Sequence, residues 1–254
     1  MFRLAIHFLA LVAAIGCDKP APSGNAATTS KPSATAPIAF GTIRGKVMLS
    51  NWNPPPPAAN MVPCGNHQIP LPDEKVVVKN GGLENVVIYL KDAPPSTTTA
   101  RLTSPKSATP APAVLDQINC AYVPHVIALR TGQTLTIKSS ENLFHNVHTL
   151  AENNPGSNFS MTQPGSRDVV FKNAEIFRVK CDVHPWMSAH IAVFDHPFFA
   201  VSANGGKFQI DNLPAGPQTL VAWHERFGEI EQTITVTADQ TREITFNFQP
   251  PNEK

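Results

Sequence analysis

The 254-residue sequence has no excess of charge of either sign: 20 Lys and Arg against 19 Asp and Glu leave a net charge of +1. No run of Lys or Arg is dense enough to grip nucleic acid or an anionic lipid surface, which excludes a role built on such binding. Helical periodicity is also missing. No window of a dozen residues repeats apolar side chains every 3.6 positions, and this argues against a helical bundle. Phosphate-binding loops, nucleophile elbows and dinucleotide-binding glycine motifs are absent. His224-Glu225 lacks the second His that a zinc-protease helix requires, so that chemistry is excluded too. Cysteine is scarce, at four residues, so each one can be accounted for separately.

What is present begins with a targeting segment. Arg3 supplies a positive start, and Leu4 to Ile15 is an apolar run broken only by His7, short for a membrane span. Ala14-Ile15-Gly16 leads directly into Cys17. This resembles a bacterial lipoprotein signal, in which residues 1–16 are removed and Cys17 is lipid-modified; Ala14 stands where Leu is usual. An ordinary secretory signal with an incidental Cys is the alternative. Both readings place the mature chain outside the cytoplasm, in the periplasm or at the cell surface, where disulfides persist. Residues 17–38, mostly Pro, Ala, Ser and Thr, bury too little surface to order themselves and read as a flexible tether.

The rest reads as strand, giving an all-β class of sandwich or barrel. Thr42 to Leu49 alternates at period two, and Pro54 to Pro57 reads as a polyproline segment. Val76 to Val78 and Val86 to Leu90 flank Asn80-Gly81-Gly82 as an expected hairpin, and 93–112 reads as a long exposed loop. Strands are expected at Val126 to Leu129, Gln133 to Ile137, Arg167 to Phe171, Ile176 to Lys180 and Ala189 to Phe194. About four more follow Val201. The expected division is 39–198, with its core at about 114–198, and then 199–254. In the second part, Gly206-Lys207-Phe208 through Asn212-Leu213-Pro214-Ala215-Gly216 to Leu220 resembles the carboxypeptidase regulatory-like domain. That resemblance implies a small transthyretin-like β-sandwich and no catalysis.

The densest chemistry lies in Cys181-Asp182-Val183-His184-Pro185-Trp186-Met187. A thiolate, an imidazole and a thioether at spacing C-x2-H-x2-M are the ligand types that a mononuclear blue-copper site takes from one loop. Flanking strands would hold both ends of that loop. His145, in Phe144-His145-Asn146-Val147-His148, offers the second imidazole, and Asn146 is placed to bond across to the Cys loop. Half a zinc site, or a buried Cys beside two surface His residues, are the other readings; Met is a poor zinc ligand. Met161 is a competing axial donor.

With Glu141-Asn142-Leu143-Phe144-His145-Asn146-Val147-His148 upstream, this loop resembles the cupredoxin family, most closely its amicyanin branch. The matched region spans about residues 122–196. Phe144 stands where Pro is frequent, and Trp186 replaces a smaller aromatic. The resemblance implies a cupredoxin Greek-key sandwich over 39–198 with an N-terminal β extension. It implies type 1 copper, Cu(I)/Cu(II), held by His145, Cys181 and His184 with Met187 axial. It also implies one-electron exchange with redox partners such as a c-type cytochrome or dehydrogenase. Copper delivery without electron transfer, or a binding module with a structural metal, are alternatives. No enzyme is expected, because copper enzymes of this family need a second copper with further His ligands and no His-x-His cluster supplies one. Only the fold decides whether His125, His148 and His190 converge; on sequence, His148 and His190 read as surface or ligand-supporting residues.

Cys64 and Cys120 remain, an even pair in an oxidising compartment, and a disulfide between them is expected. Cys64-x2-His67 and Cys120-x4-His125 leave a second metal site as the alternative.

Overall fold

A computed structural model describes residues 39–53, 60–71, 75–93 and 112–250, all within one compact unit, Ile38–Lys254. The expected signal, Cys17, the tether, the Pro54 to Pro57 segment and most of the 93–112 loop lie outside the described residues. Among the described residues every regular element is a strand. The chain forms β1 (Phe40–Leu49), β2 (Met61–Cys64), β3 (His67–Pro70), β4 (Val78–Lys79), β5 (Gly82–Leu83) and β6 (Val87–Leu90). Next come β7 (Ala113–Ile118), β8 (Ala121–Val123), β9 (Val126–Arg130), β10 (Thr134–Ser139), β11 (His145–Thr149), β12 (Asn158–Met161) and β13 (Gly165–Val170). The last are β14 (Glu175–Lys180), β15 (Ser188–Phe194), β16 (Phe199–Val201), β17 (Lys207–Pro214), β18 (Gly216–His224), β19 (Gly228–Val236) and β20 (Thr241–Phe248).

Two sheets, β13-β10-β7-β8 and β12-β11-β14-β15-β9, form the first sandwich. Alternation along each strand turns Leu115, Leu135, Ile137, Val147, Val179 and Ile191 into one shared core. Burial of each such side chain contributes about 1.5–3 kcal/mol. β15 is buried on both faces. Its Ala189, Ile191 and Val193 join this core, while Ala192 and Phe194 face the other way.

The second sandwich consists of β17-β1-β5-β4, with β20 along the other edge of β1, and β16-β6-β18-β19. Ile43, Val47, Ile88, Leu213, Leu220 and Phe246 fill its core. This redraws the expected division. Residues 39–198 do not stay together, because β1 pairs with β17 and β20, and β6 pairs with β16 and β18. The N-terminal extension is part of the C-terminal sandwich. Period-two alternation shows that β1 has a buried face, but not which distant strands will bond its edges. The expected hairpin is likewise shorter: Asn80 and Gly81 turn β4 onto β5, and β6 leaves for the opposite sheet.

A smaller apolar seam joins the sandwiches, with Val87, Val126, Ala192 and Phe194 buried in it and Tyr89 and Trp223 packed alongside.

Candidate metal centre

The turn from β14 to β15 carries the Cys loop. It is closed by Cys181 N–H donating to Met187 O (3.1 Å) and Met187 N–H donating to His184 O (2.9 Å). Both cysteine and methionine are therefore drawn inward, at 2% and 1% exposed, while His184 at the loop crest stays half-buried. β11 lies beside β14, with His148 opposite Lys180, so the start of β11 faces the loop. His145 occupies that start and is fully buried.

The predicted donors converge. His145 Nδ1 lies 3.0 Å from His184 Nδ1, and Cys181 Sγ lies 3.8 Å from that same His184 nitrogen. Met187 packs in the same core cluster. The sulfur of Cys120 is also close, its donor atom within 4.8 Å of those of His145 and His184. It is bonded to Cys64, however, so among the described cysteines the free thiol is Cys181. That disulfide sets aside the alternative second site, and His67 points to solvent.

Electrostatics favour the thiolate form of Cys181. Burial opposes its charged form, but a hydrogen bond from His145 and the backbone amides of Asn146, His184 and Val183 outweigh burial and lower the thiol's pKa. Burial likewise opposes charge on His145, yet Cys181 and Glu141 more than offset it and raise the imidazole. Burial, and then the neighbouring His145, lower His184.

The supporting contacts are specific. Glu141 Oε1 accepts from His145 Nε2 at 2.8 Å, which fixes the ring and leaves Nδ1 facing the loop. The same carboxylate accepts from Asn119 N (3.0 Å) and Cys120 N (3.1 Å). These two residues form the tight turn between β7 and β8, both with φ of 53°. Asn tolerates that left-handed conformation and Cys does so less readily, so the carboxylate and the disulfide together hold the turn. Asn146 makes the expected bond across the loops: its Oδ1 accepts from Asp182 N at 2.6 Å, and Cys181 Sγ lies 3.4 Å away. Its Nδ2 donates to Asp182 Oδ2 (3.0 Å) and Asn158 Oδ1 (2.8 Å). Trp186 Nε1 donates to Cys120 O at 3.2 Å, linking the loop to the disulfide.

Other sequence expectations resolve individually. His148 Nδ1 bonds to Asp182 at the surface, and His190 packs its ring against Trp223 in the seam between the sandwiches. The sulfur of Met161 accepts from Gln117 Nε2 at 3.1 Å, and the residue stands opposite His145 and packs against the first core. The role of Glu141 was not legible beforehand. It sits on an irregular segment before β11, where no periodicity assigns a direction to its side chain.

Thiolate, two imidazoles and thioether together fit a soft-to-borderline cation such as copper.

No protein-family model matches the chain, and no curated protein sequence matches it. Many solved structures are similar over part of its length, among them the three that follow. A purple cupredoxin from Nitrosopumilus maritimus is 18% identical, with TM-score 0.29, covering 32% of this chain and 98% of that one. A mutant of amicyanin, Cu(I), is 23% identical with TM-score 0.29, covering 32% and 79%. A Cu-containing nitrite reductase (NirK) from Thermus scotoductus SA-01 is 14% identical with TM-score 0.32, covering 40% of this chain but only 27% of that one.

Proposed function

We propose that the first sandwich is a type 1 copper domain that carries single electrons. The observation that bears most weight is the meeting of the Cys181 sulfur with the His145 and His184 Nδ1 atoms, donated by two segments that share one sheet. His145, Cys181 and His184 would hold the metal, with Met187 of the same loop as the soft fourth donor. Copper held there supplies a one-electron couple between Cu(I) and Cu(II).

The protein's own part is to keep that ligand set still. Strands anchor both ends of the Cys loop, Glu141 locks the His145 ring, and Asn146 ties the loop to β11. Rigid ligands keep the structural cost of each electron small. His184 is the half-buried ligand, and the apolar residues Val183 (46%) and Phe144 (48%) are exposed on neighbouring positions. A small apolar surface around an accessible imidazole edge suits brief docking of a redox protein, for example a c-type cytochrome or dehydrogenase.

The signal-like N-terminus supports export, with lipid attachment at Cys17 and a tether over 17–38. The Cys64–Cys120 disulfide fits the same oxidising compartment. The second sandwich, with its regulatory-like sequence, reads as a non-catalytic partner to the copper domain.

Loading with Cu(II) tests this reading. An intense blue colour bleached by ascorbate is expected, and a colourless copper-loaded protein overturns it.

A further inference from the structure

A second group of donor side chains meets away from the Cys loop, in the seam between the sandwiches. His125 sits between β8 and β9, His190 lies in β15, and Glu225 follows β18. Alternation along β15 determines where His190 points. Ala189, Ile191 and Val193 belong to the first core, so His190 shares the opposite face with Ala192 and Phe194. Its backbone N–H donates to His125 O at 2.9 Å, which brings the two rings to 6.1 Å between centroids. From the other sandwich, Trp223 packs its ring 5.2 Å from His190, and Glu225, two residues on, reaches both imidazoles.

The hydrogen bonds define which atoms face inward. His125 Nδ1 bonds to Ser188 O at 3.1 Å, and a carbonyl can only accept, so Nδ1 carries the hydrogen. His125 Nε2 is therefore the atom turned to Glu225 Oε1. His190 Nδ1 lies 3.8 Å from that same oxygen, beyond hydrogen-bond length, and has no hydrogen-bond partner among the described residues although the residue is only 8% exposed. Leaving a buried ring nitrogen unpaired is costly, and the expected remedy is a group that engages all three atoms at once.

We infer that His125, His190 and Glu225 form a second metal site, taking a divalent transition ion that prefers nitrogen and oxygen donors, such as Zn(II) or Cu(II). One donor atom from each residue lies within 4.8 Å of the others. Ligands around a tetrahedral zinc stand about 3.3–3.5 Å apart, a change within reach of side-chain rotation. Two imidazoles and a carboxylate leave one position open to solvent or a further ligand. Ser188 O orients His125 as carbonyls orient metal-bound imidazoles elsewhere. The absence of sulfur separates this site from the softer donors around Cys181. Because the ligands come from both sandwiches, the ion would fasten one to the other.

The test uses the full chain carrying Cys181→Ala and His184→Ala, which removes the thiolate and one imidazole of the other centre. Equilibrium dialysis against Zn(II) alone should then find one zinc per chain. Adding Glu225→Gln or His190→Gln should weaken that binding at least 10-fold, while melting without metal confirms that each variant is folded. Zn(II) should also raise the melting temperature of the double variant. No zinc on the double variant, or binding unchanged by both added substitutions, overturns the site. Failure of the type 1 reading leaves this outcome untouched, since that centre is already dismantled.

Discussion

Removing Glu141 should loosen the protein and misplace His145 together. Its carboxylate accepts three hydrogen bonds, from His145 Nε2 at 2.8 Å, Asn119 N at 3.0 Å and Cys120 N at 3.1 Å, and its side chain is only 17% exposed. Glu141→Ala deletes all three acceptor contacts and leaves two turn amides with no oxygen. At about 1–2 kcal/mol per contact in this half-buried setting, the expected loss is about 3–6 kcal/mol. Glu141→Gln is milder. Its single oxygen can serve His145 and Cys120, but its amide then faces the Asn119 N–H, donor against donor, for a cost of about 1–3 kcal/mol. Urea unfolding followed by circular dichroism measures both. The order wild type, Gln, Ala should appear in stability and in copper retention. If both variants match wild type within about 0.5 kcal/mol, the reasoning about this carboxylate is refuted.

Three further outcomes follow from other parts of the molecule. A Cβ on Gly82 would stand 1.9 Å from the Gly205 carbonyl oxygen, so Gly82→Ala should destabilise the second sandwich by more than about 3 kcal/mol, measurable as a lower melting temperature. Reducing the Cys64–Cys120 bond, which spans 56 residues, should cost about 4 kcal/mol of stability in urea titrations with and without reductant; equal midpoints would contradict the expectation. Burial lowers the His196 pKa from 6.5 to about 4, and its Nδ1 accepts from Phe198 N at 3.2 Å. The unfolded chain therefore takes up a proton first as pH falls from 6.5 to 4, and stability drops across that window by about 3 kcal/mol for this residue. His196→Asn, which keeps an acceptor and cannot titrate there, should flatten the slope of stability against pH between those values.

The sequence conveys the Cys loop well because three ligands and the turn joining them are local. Cys181, His184 and Met187 are fixed within seven residues by two backbone hydrogen bonds. His145 and Asn146 were legible as neighbours in the segment Phe144 to His148, which resembles a cupredoxin segment, although no strand was expected there and β11 begins at His145. What stayed hidden depends on edges and crossings. β1 shows its buried face in its own pattern, yet its partners lie in β17 and β20 near the far end of the chain. β15 is apolar at almost every position, so alternation could not reveal that its His190 faces a second sandwich. Glu225 reaches His125 across 100 positions, a separation for which no spacing rule exists.

Paramagnetic resonance of the full chain loaded with one equivalent of Cu(II), beside the Cys181→Ala variant, tests the central claim most directly. The account predicts the small copper hyperfine splitting of a strongly covalent copper–thiolate bond in the wild type and its loss in the variant. A large splitting from nitrogen and oxygen ligation alone, identical in both proteins, would contradict it.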